Sequence, residues 1–398
     1  MRKKVSAVTF HYMIITGGFW MAFCVISAYA AVYLQGIGFN NQELGLILAL
    51  GNVGGAVISP ALGSWIDRNR RIRHRDVVYG LLMIQVLLLI CLRLNPKAGV
   101  FSAVCYALYM AVVLPVNAVN LDLCVRLERA QAPLEFGVAR SMGSFAFVIL
   151  STLLGPVTER LGHEILPFAG LAVILLQAWG NMLIDRDLRE AERNIGGIAS
   201  TGAEKASSLP DFVRKNGAFC LMLLGTILLF TAHNVDGNFL INEIEALGGG
   251  TAIMGYVAAF TAIVEVPVMM FSSKLPKRWK TVHYIRAAFV FFVLKMLAYA
   301  LAPNIPLFFA ARTLQAPSYA LYTVLIVGYA EQCVPAQDSA KAQSLAFSMT
   351  TIGSVLASLI GGRLFDTAGV KPTLLIAAAI AAAGAAVAIA GTFSKKKA

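Results

Sequence analysis

Several ionisable side chains lie inside long apolar segments of this 398-residue chain. A charged side chain at the centre of a bilayer costs about 2.5–3.5 kcal/mol on insertion scales, so such residues normally face a partner or an aqueous cavity. There they can bind polar solutes or carry protons. The candidates are Asp122, Arg140, His233, Asp236, Glu265, Lys295 and Arg312.

Asp122 and Arg140 lie on either side of one short polar loop. Asp122 is near the end of one apolar segment, and Arg140 is near the start of the next. On sequential antiparallel helices the two charges could face each other, and a planar guanidinium can hold a carboxylate or two vicinal hydroxyls. Alternatively, each side chain could extend separately to the membrane interface.

Glu265 lies within TAIVEVPVMMF, more than one turn from either end and with no basic residue nearby in the chain. An acid in this position could carry a proton, or it could belong to a buried structural ion pair. His233 and Asp236 are three residues apart and would share one helix face. They could transfer protons, since imidazole titrates near neutrality, or they could lie in water at the outer end of the segment.

Lys295 and Arg312 could balance these acids. Lys295 is central in FVFFVLKMLAYAL, so Asp236 or Glu265 would be its expected partner. Arg312, Gln315 and Tyr319 follow each other at helical spacing, which is typical of a polar stripe lining a cavity. The uncharged members could instead form hydrogen bonds between helices.

The segments that carry these residues are long enough to span a bilayer. The chain is 58% hydrophobic and only 14% charged, against about 25% charged residues in soluble domains. Twelve runs approach or exceed the roughly 20 residues that a membrane helix needs, and they do not alternate as barrel strands do. We predict an all-α membrane protein with spans near 9–35, 42–66, 76–94, 98–125, 137–159, 165–184, 217–241, 251–273, 284–302, 304–331, 343–366 and 371–393.

Loop charges predict the orientation of these spans. Basic residues recur in alternate loops such as DRNRRIRHRD and KLPKRWKTVHYIR, whereas GFNNQE and NEIEALGGG contain none. This asymmetry places both termini in the cytoplasm, with the protein in the cytoplasmic membrane. It also accounts for the net charge of +12 without nucleic-acid binding. A polar segment at 185–216 predicts a cytoplasmic linker between six-helix bundles at 1–184 and 217–398.

The loop GSWIDRNRR, residues 63–71, resembles the G-x-x-x-D-R-x-G-R-R motif of the major facilitator superfamily. That resemblance implies two six-helix bundles and a gating role for the loop. The nine-residue loop is one residue shorter than the ten-residue motif, and Asn69 then stands where the family usually has glycine. The matching residues are Gly63, Asp67, Arg68, Arg70 and Arg71.

The segment VNLDLCVRLERAQAPLEFGVAR, residues 119–140, is similar to the lactose permease and phenylpropionate transporter branch. By that resemblance Asp122 and Arg140 would bind substrate and Phe147 would stack against it. Gly255, Tyr256 and Glu265 resemble a pattern of the eighth helix in that branch. Asp236, Lys295, Arg312 and Gln315 fall at further functional positions.

The same comparison shows where the chain departs from the lactose permease. Gln315 and Ser318 stand where the permease has the His and Glu of its proton relay, and Thr350 replaces a lysine. We therefore expect proton coupling to use other residues, namely Glu265, Asp236 and His233.

These patterns predict a secondary transporter that moves a small polar or anionic solute by alternating access, with proton symport. The alternatives are export of drugs or metabolites by proton antiport, and a membrane-embedded transferase. For the transferase, DRDLRE at 185–190 is the nearest metal motif, and its interleaved arginines disfavour magnesium. Nothing matches G-x-x-x-x-G-K-[ST], which disfavours ATP. We expect a monomer in lipid with substrate and proton as partners, no metal and no cofactor.

Overall fold

The computed structural model describes residues 6–69, 72–195, 208–271 and 280–393. These residues form helices and loops, with no β-strand among them. The α-helices are α1 (Ala7–Phe23), α2 (Ala30–Gly36), α3 (Asn41–Arg68), α4 (His74–Leu94), α5 (Val100–Arg129), α6 (Phe136–Leu161), α7 (Leu166–Ile195), α8 (Leu209–Lys215), α9 (Gly217–Asn238), α10 (Leu240–Ala246), α11 (Thr251–Phe271), α12 (Thr281–Leu301), α13 (Ile305–Arg312), α14 (Leu321–Cys333), α15 (Ser339–Thr367) and α16 (Val370–Gly391).

Eleven helices in the described ranges are long and apolar enough to cross a membrane, judged by length and composition. The remaining predicted span, 304–331, corresponds to Ile305–Cys333. It is helical but changes form, through a 3₁₀ turn at Thr313–Gln315 and a π-helical turn at Ala316–Ala320. Pro317 lies in that π-helical turn and has no N–H to donate, which accounts for the local irregularity. The prediction of an all-α membrane protein is confirmed.

Two other spans are interrupted. A π-helical turn at Cys24–Ala28 lies between α1 and α2, and the single residue Phe239 separates the end of α9 at Asn238 from the start of α10 at Leu240. Such interruptions are frequent at functional sites, because they leave backbone groups and side chains in non-helical positions. The α9–α10 break follows Asp236 closely, and the irregular stretch after α13 begins next to Arg312.

The chain forms two compact units. Unit 1 contains Met1–Phe39, Leu50–Thr201 and Thr251–Ala259, and unit 2 contains Asn40–Ala49, Gly202–Gly250 and Phe260–Ala398. The first turns of α3 therefore belong to unit 2, and the first turns of α11 belong to unit 1. The division into bundles at 1–184 and 217–398 stays a prediction.

The polar segment 185–216 is helical at both ends. Helix α7 continues to Ile195, and α8 follows at Leu209–Lys215. On α7, Arg186 pairs with Glu190 and Arg189 pairs with Asp185 at i,i+4 spacing, which stabilises a helix beyond its apolar part. Residues 196–207 of the predicted linker lie outside the described residues.

Within unit 2, α9 packs closely against α15 and α16 through glycines. A Cβ atom on Gly225 would overlap the backbone nitrogen of Ala388 and lie 2.6 Å from the Gly384 oxygen. On the α15 side, a Cβ on Gly353 would lie 2.7 Å from the Cβ of Phe230. Small residues allow the backbones to approach this closely, and α9 carries His233 and Asp236 into the unit.

Gly225→Ala is expected to lower the thermal midpoint of the purified protein. The added methyl group meets backbone atoms, which cannot rotate away, and overpacking of this kind costs about 1–3 kcal/mol. Gly237→Ala is the matched control on the same helix, since a Cβ there meets nothing within 4 Å. Equal midpoints for the two variants would contradict the close α9–α16 packing.

Candidate functional site

Arg312 and Asp236 form a buried ion pair in unit 2. Arg312 Nη1 donates to Asp236 Oδ2 at 2.8 Å, and Nη2 lies 2.6 Å from Oδ1. Their side chains are 3% and 2% exposed. Two parallel contacts use the planar fork of the guanidinium, and the rings of Tyr299 and Phe308 lie 4.2 and 4.5 Å from its centre.

Glu243 on α10 brings a second carboxylate to this pair. Its Oε2 lies 3.6 Å from Arg312 Nη2, and its side chain is 1% exposed. The sequence prediction assigned NEIEALGGG to an outer loop and so missed this residue. The available signal was its spacing, because Glu243 follows Asp236 by seven residues, which is two turns along a helix face.

A second polar network joins Lys295 to Glu265. Lys295 Nζ donates to Gln315 Oε1 at 3.0 Å, and Gln315 Nε2 donates to Glu265 Oε1 at 2.8 Å. Lys295 Nζ also lies 2.9 Å from His233 Nδ1. When Lys295 is protonated it can only donate, and in that state Nδ1 accepts and the His233 proton is on Nε2.

Aromatic rings surround this second network. The ring of His233 lies 4.7 Å from that of Tyr319 and 6.0 Å from that of Phe230, and Lys295 Nζ lies 4.7 Å from the Phe292 ring. Lys295 is fully buried, whereas His233 and Glu265 are half-buried. The network therefore runs from one partly accessible titratable group to another through a buried lysine and an amide.

The structure distributes the predicted charges over specific partners. Asp236 pairs with Arg312 and not with Lys295, and His233 contacts Lys295. Arg312 and Gln315, which the sequence places on one stripe, contact Asp236 and Glu265 respectively. The 3₁₀ turn beginning at Thr313 changes the helical spacing between them.

In unit 1, the two charges of residues 119–140 have other neighbours. Asp122 accepts from Arg126 Nε at 2.7 Å, one turn along α5. The Arg140 guanidinium lies over the Trp20 ring of α1, 4.7 Å from its centre, and Phe147 is half-buried on the same helix as Arg140. A contact between Asp122 and Arg140 stays a prediction. Trp20 was missed, because nothing in the sequence distinguishes it from other aromatic residues of its span.

The predicted gating loop is described only in part. Gly63 lies on α3 with open space where a Cβ would be, and Arg68 is the exposed last residue of that helix. Arg70, Arg71 and the side chain of Asp67 lie outside the described residues. The gating role stays a prediction.

Nothing in the described ranges points to metal chemistry. No group of three or more His, Cys, Asp or Glu residues there could hold a metal ion. The six cysteines are free.

The described residues are helical, include eleven helices of spanning length and contain buried charge networks, which is the organisation of a polytopic membrane transporter. The profile of the MFS_1 like family matches residues 12–376, and the chain belongs to that family. It is thus a multi-pass secondary transporter of a small-molecule substrate, and not an enzyme. The resemblance to the major facilitator superfamily is confirmed.

Two relatives are similar in sequence. A Deinococcus radiodurans protein named as a sugar efflux transporter is 26% identical over 362 residues, which cover 88% of this chain and 89% of the relative. An Escherichia coli K12 protein named as a 3-phenylpropionic acid transporter is 25% identical over 266 residues, or 65% of each chain. The aligned part is therefore just under two thirds of that second relative.

Solved structures share the fold at low identity. The nucleoside transporter NupG superposes with a TM-score of 0.79 at 14% identity, over 98% of this chain and all of NupG. A bacterial homologue of the iron transporter ferroportin gives 0.72 at 13% identity, with 98% of each chain covered. A bacterial homologue of the lysosomal transporter Spinster gives 0.70 at 14% identity, covering 97% and 96% of the two chains.

Proposed function

We propose that this protein moves a small polar or anionic solute across the cytoplasmic membrane by alternating access, in symport with protons. It acts as a monomer with both termini in the cytoplasm. The network His233–Lys295–Gln315–Glu265 carries this proposal. Its end groups are titratable and partly accessible, and its middle is buried.

Proton coupling follows from the composition of that network. A proton gained by Glu265 changes what its carboxyl oxygens can accept from Gln315, and Gln315 in turn holds the Lys295 ammonium. Each step is a hydrogen bond between different helical segments, namely α11, the turn after α13, α12 and α9. Protonation of the half-buried Glu265 therefore changes a set of hydrogen bonds that connects four segments of unit 2.

The proposed substrate contact is the aromatic and cationic surface at Arg140. The guanidinium lies over Trp20, and Phe147 supplies a second flat ring on the helix of Arg140. A carboxylate on an apolar or aromatic body suits this combination, because the fork binds the carboxylate and the rings bind the body. Asp122 would act as the partner acid of Arg140. Lys295, Arg312 and Gln315 would balance the acids of unit 2 or meet the anionic end of the substrate.

Proton antiport in the export direction is the second candidate. The relative with the wider alignment is named as a sugar efflux transporter, and the same titratable network would serve either direction. Proteoliposomes with an internal pH dye separate the two. Adding 3-phenylpropionate or lactose outside should acidify the interior under symport and alkalinise it under antiport, and no pH change with any transported probe would contradict proton coupling.

Glu265→Gln is expected to abolish accumulation driven by a pH gradient, down to the level of empty liposomes. The amide cannot carry a proton, yet it can keep a hydrogen bond to Gln315, so exchange of labelled for unlabelled substrate should continue. Radiolabelled probe uptake with and without the gradient measures both. Glu190→Gln, an exposed acid on α7, is the control. Normal gradient-driven uptake by the Glu265 variant would remove this residue from the mechanism.

A further inference from the structure

The site around Arg312 contains more buried acid than buried base. Arg312 makes two contacts with Asp236, at 2.8 and 2.6 Å, and Glu243 lies 3.6 Å from the same guanidinium. All three side chains are at most 3% exposed. One positive charge therefore faces two carboxyl groups in a site that excludes solvent.

Among the described residues, no donor satisfies the carboxyl oxygens of Glu243. Neither of them accepts a hydrogen bond from an N–H or O–H group of the residues that the structure describes, and its neighbour Asp236 is itself a carboxylate. An ionised carboxylate that is buried without hydrogen bonds, beside a cation already held by another acid, is strongly disfavoured. A neutral carboxylic acid avoids this cost.

The elements packed around Glu243 supply few compensating charges. Helix α9 contributes Asp236, α13 contributes Arg312, and α12 contributes Tyr299. Lys295, also on α12, is engaged with His233 and Gln315, beyond which lies Glu265. Helix α16 packs against α10, and its one charged residue, Lys371, is exposed.

We propose that Glu243 is a protonatable residue of the transport cycle, held as a neutral acid while Asp236 and Arg312 are paired. When alternating access opens this site to water and Glu243 releases its proton to it, the resulting carboxylate competes with Asp236 for the Arg312 guanidinium. Because α9 ends at Asn238 and α10 starts at Leu240, the two acids lie on separate helical segments. Exchange of the guanidinium between them would shift α10 relative to α9. The role in coupling rests on the proposed function, whereas the protonation state does not.

The protonation state is tested directly by infrared spectroscopy of the purified protein in lipid. At a pH where exposed carboxyls are ionised, wild type should show the carbonyl band of protonated carboxylic acid, and Glu243→Gln should lose part of it. Glu245→Gln, an exposed acid on the same short helix, should leave the band unchanged. An identical band in wild type and the Glu243 variant would overturn the proposal.

Measurements of thermal stability and of transport provide a second test of the proposal. Gln resembles the neutral acid, so Glu243→Gln should keep the wild-type thermal midpoint and substrate exchange but lose gradient-driven accumulation. A large fall in the midpoint would overturn the proposal, because it would mean that an ionised Glu243 is needed beside Arg312. Wild-type accumulation by the variant would overturn its role in coupling. If wild type itself moves no protons, the proposed symport fails, while the infrared band still decides the state of Glu243.

Discussion

Arg312→Gln is expected to destabilise the protein more than any other single substitution in the polar networks of unit 2. The change leaves Asp236 buried without its cation, and breaking one side of a buried pair typically costs about 3–5 kcal/mol. It also removes the guanidinium from between Tyr299 and Phe308. The thermal midpoint in detergent and the yield of monodisperse protein should both fall sharply.

A double variant tests the cause of that loss. Asp236→Asn combined with Arg312→Gln replaces the ion pair with two neutral amides, so most of the stability should return while transport stays absent. Arg186→Gln is the control for losing a charge, because its pair with Glu190 is exposed and such pairs contribute about 0–1 kcal/mol. An Arg312→Gln protein as stable as the Arg186 variant would contradict a structural role for the buried pair.

Arg140→Lys is expected to cause the largest loss of substrate affinity. Lysine keeps the charge but has neither the planar fork nor the flat face that lies over Trp20. Losing one charge-assisted hydrogen bond, worth about 1.5–3 kcal/mol, would weaken binding roughly 10- to 150-fold. Titration calorimetry with 3-phenylpropionate and with lactose measures this change and also tests the class of substrate.

The matched control for this prediction is Arg160→Lys, an exposed arginine at the far end of the same helix, which should bind as wild type does. Trp20→Leu removes the stacking partner and should weaken binding of the aromatic probe more than that of the sugar. Wild-type affinity in the Arg140 variant would show that the guanidinium does not contact the substrate.

Much of the fold could be predicted from the order of residue types. Leu, Val, Ile, Phe and Ala runs of sufficient length predict spanning helices reliably, because a backbone in lipid must satisfy its own hydrogen bonds within the helix. The runs near 76–94 and 371–393 correspond to α4 and α16 with small errors at their ends. The linker assignment of segment 185–216 stays a prediction, and its first charged residues continue α7 to Ile195 with i,i+4 pairs.

The candidate site was predictable as a set of residues but not as a set of contacts. Asp236, Glu265, Lys295 and Arg312 stood out because charges in apolar runs are rare. Their pairing was not predictable, since Lys295 and Arg312 are equally basic and either could have met Asp236. The role of Gln315 was not predictable either, because a glutamine has the same sequence signature whether it lines a cavity or connects two charged residues.

The amino-acid sequence by itself therefore determined that this is a helical membrane transporter with charges inside its spans. Run length, composition and loop charge are local properties of the sequence. In a bilayer they are sufficient to predict helical spans, because the backbone must satisfy its hydrogen bonds within each helix. Only the tertiary structure decided which charge meets which. The breaks at Phe239 and after Arg312 redirect side chains away from regular helical spacing, and the packing of α10 buries Glu243, which its local sequence assigns to a loop. Pair formation depends on distances of a few ångströms between segments far apart in the chain, and periodicity within one segment carries no information about them.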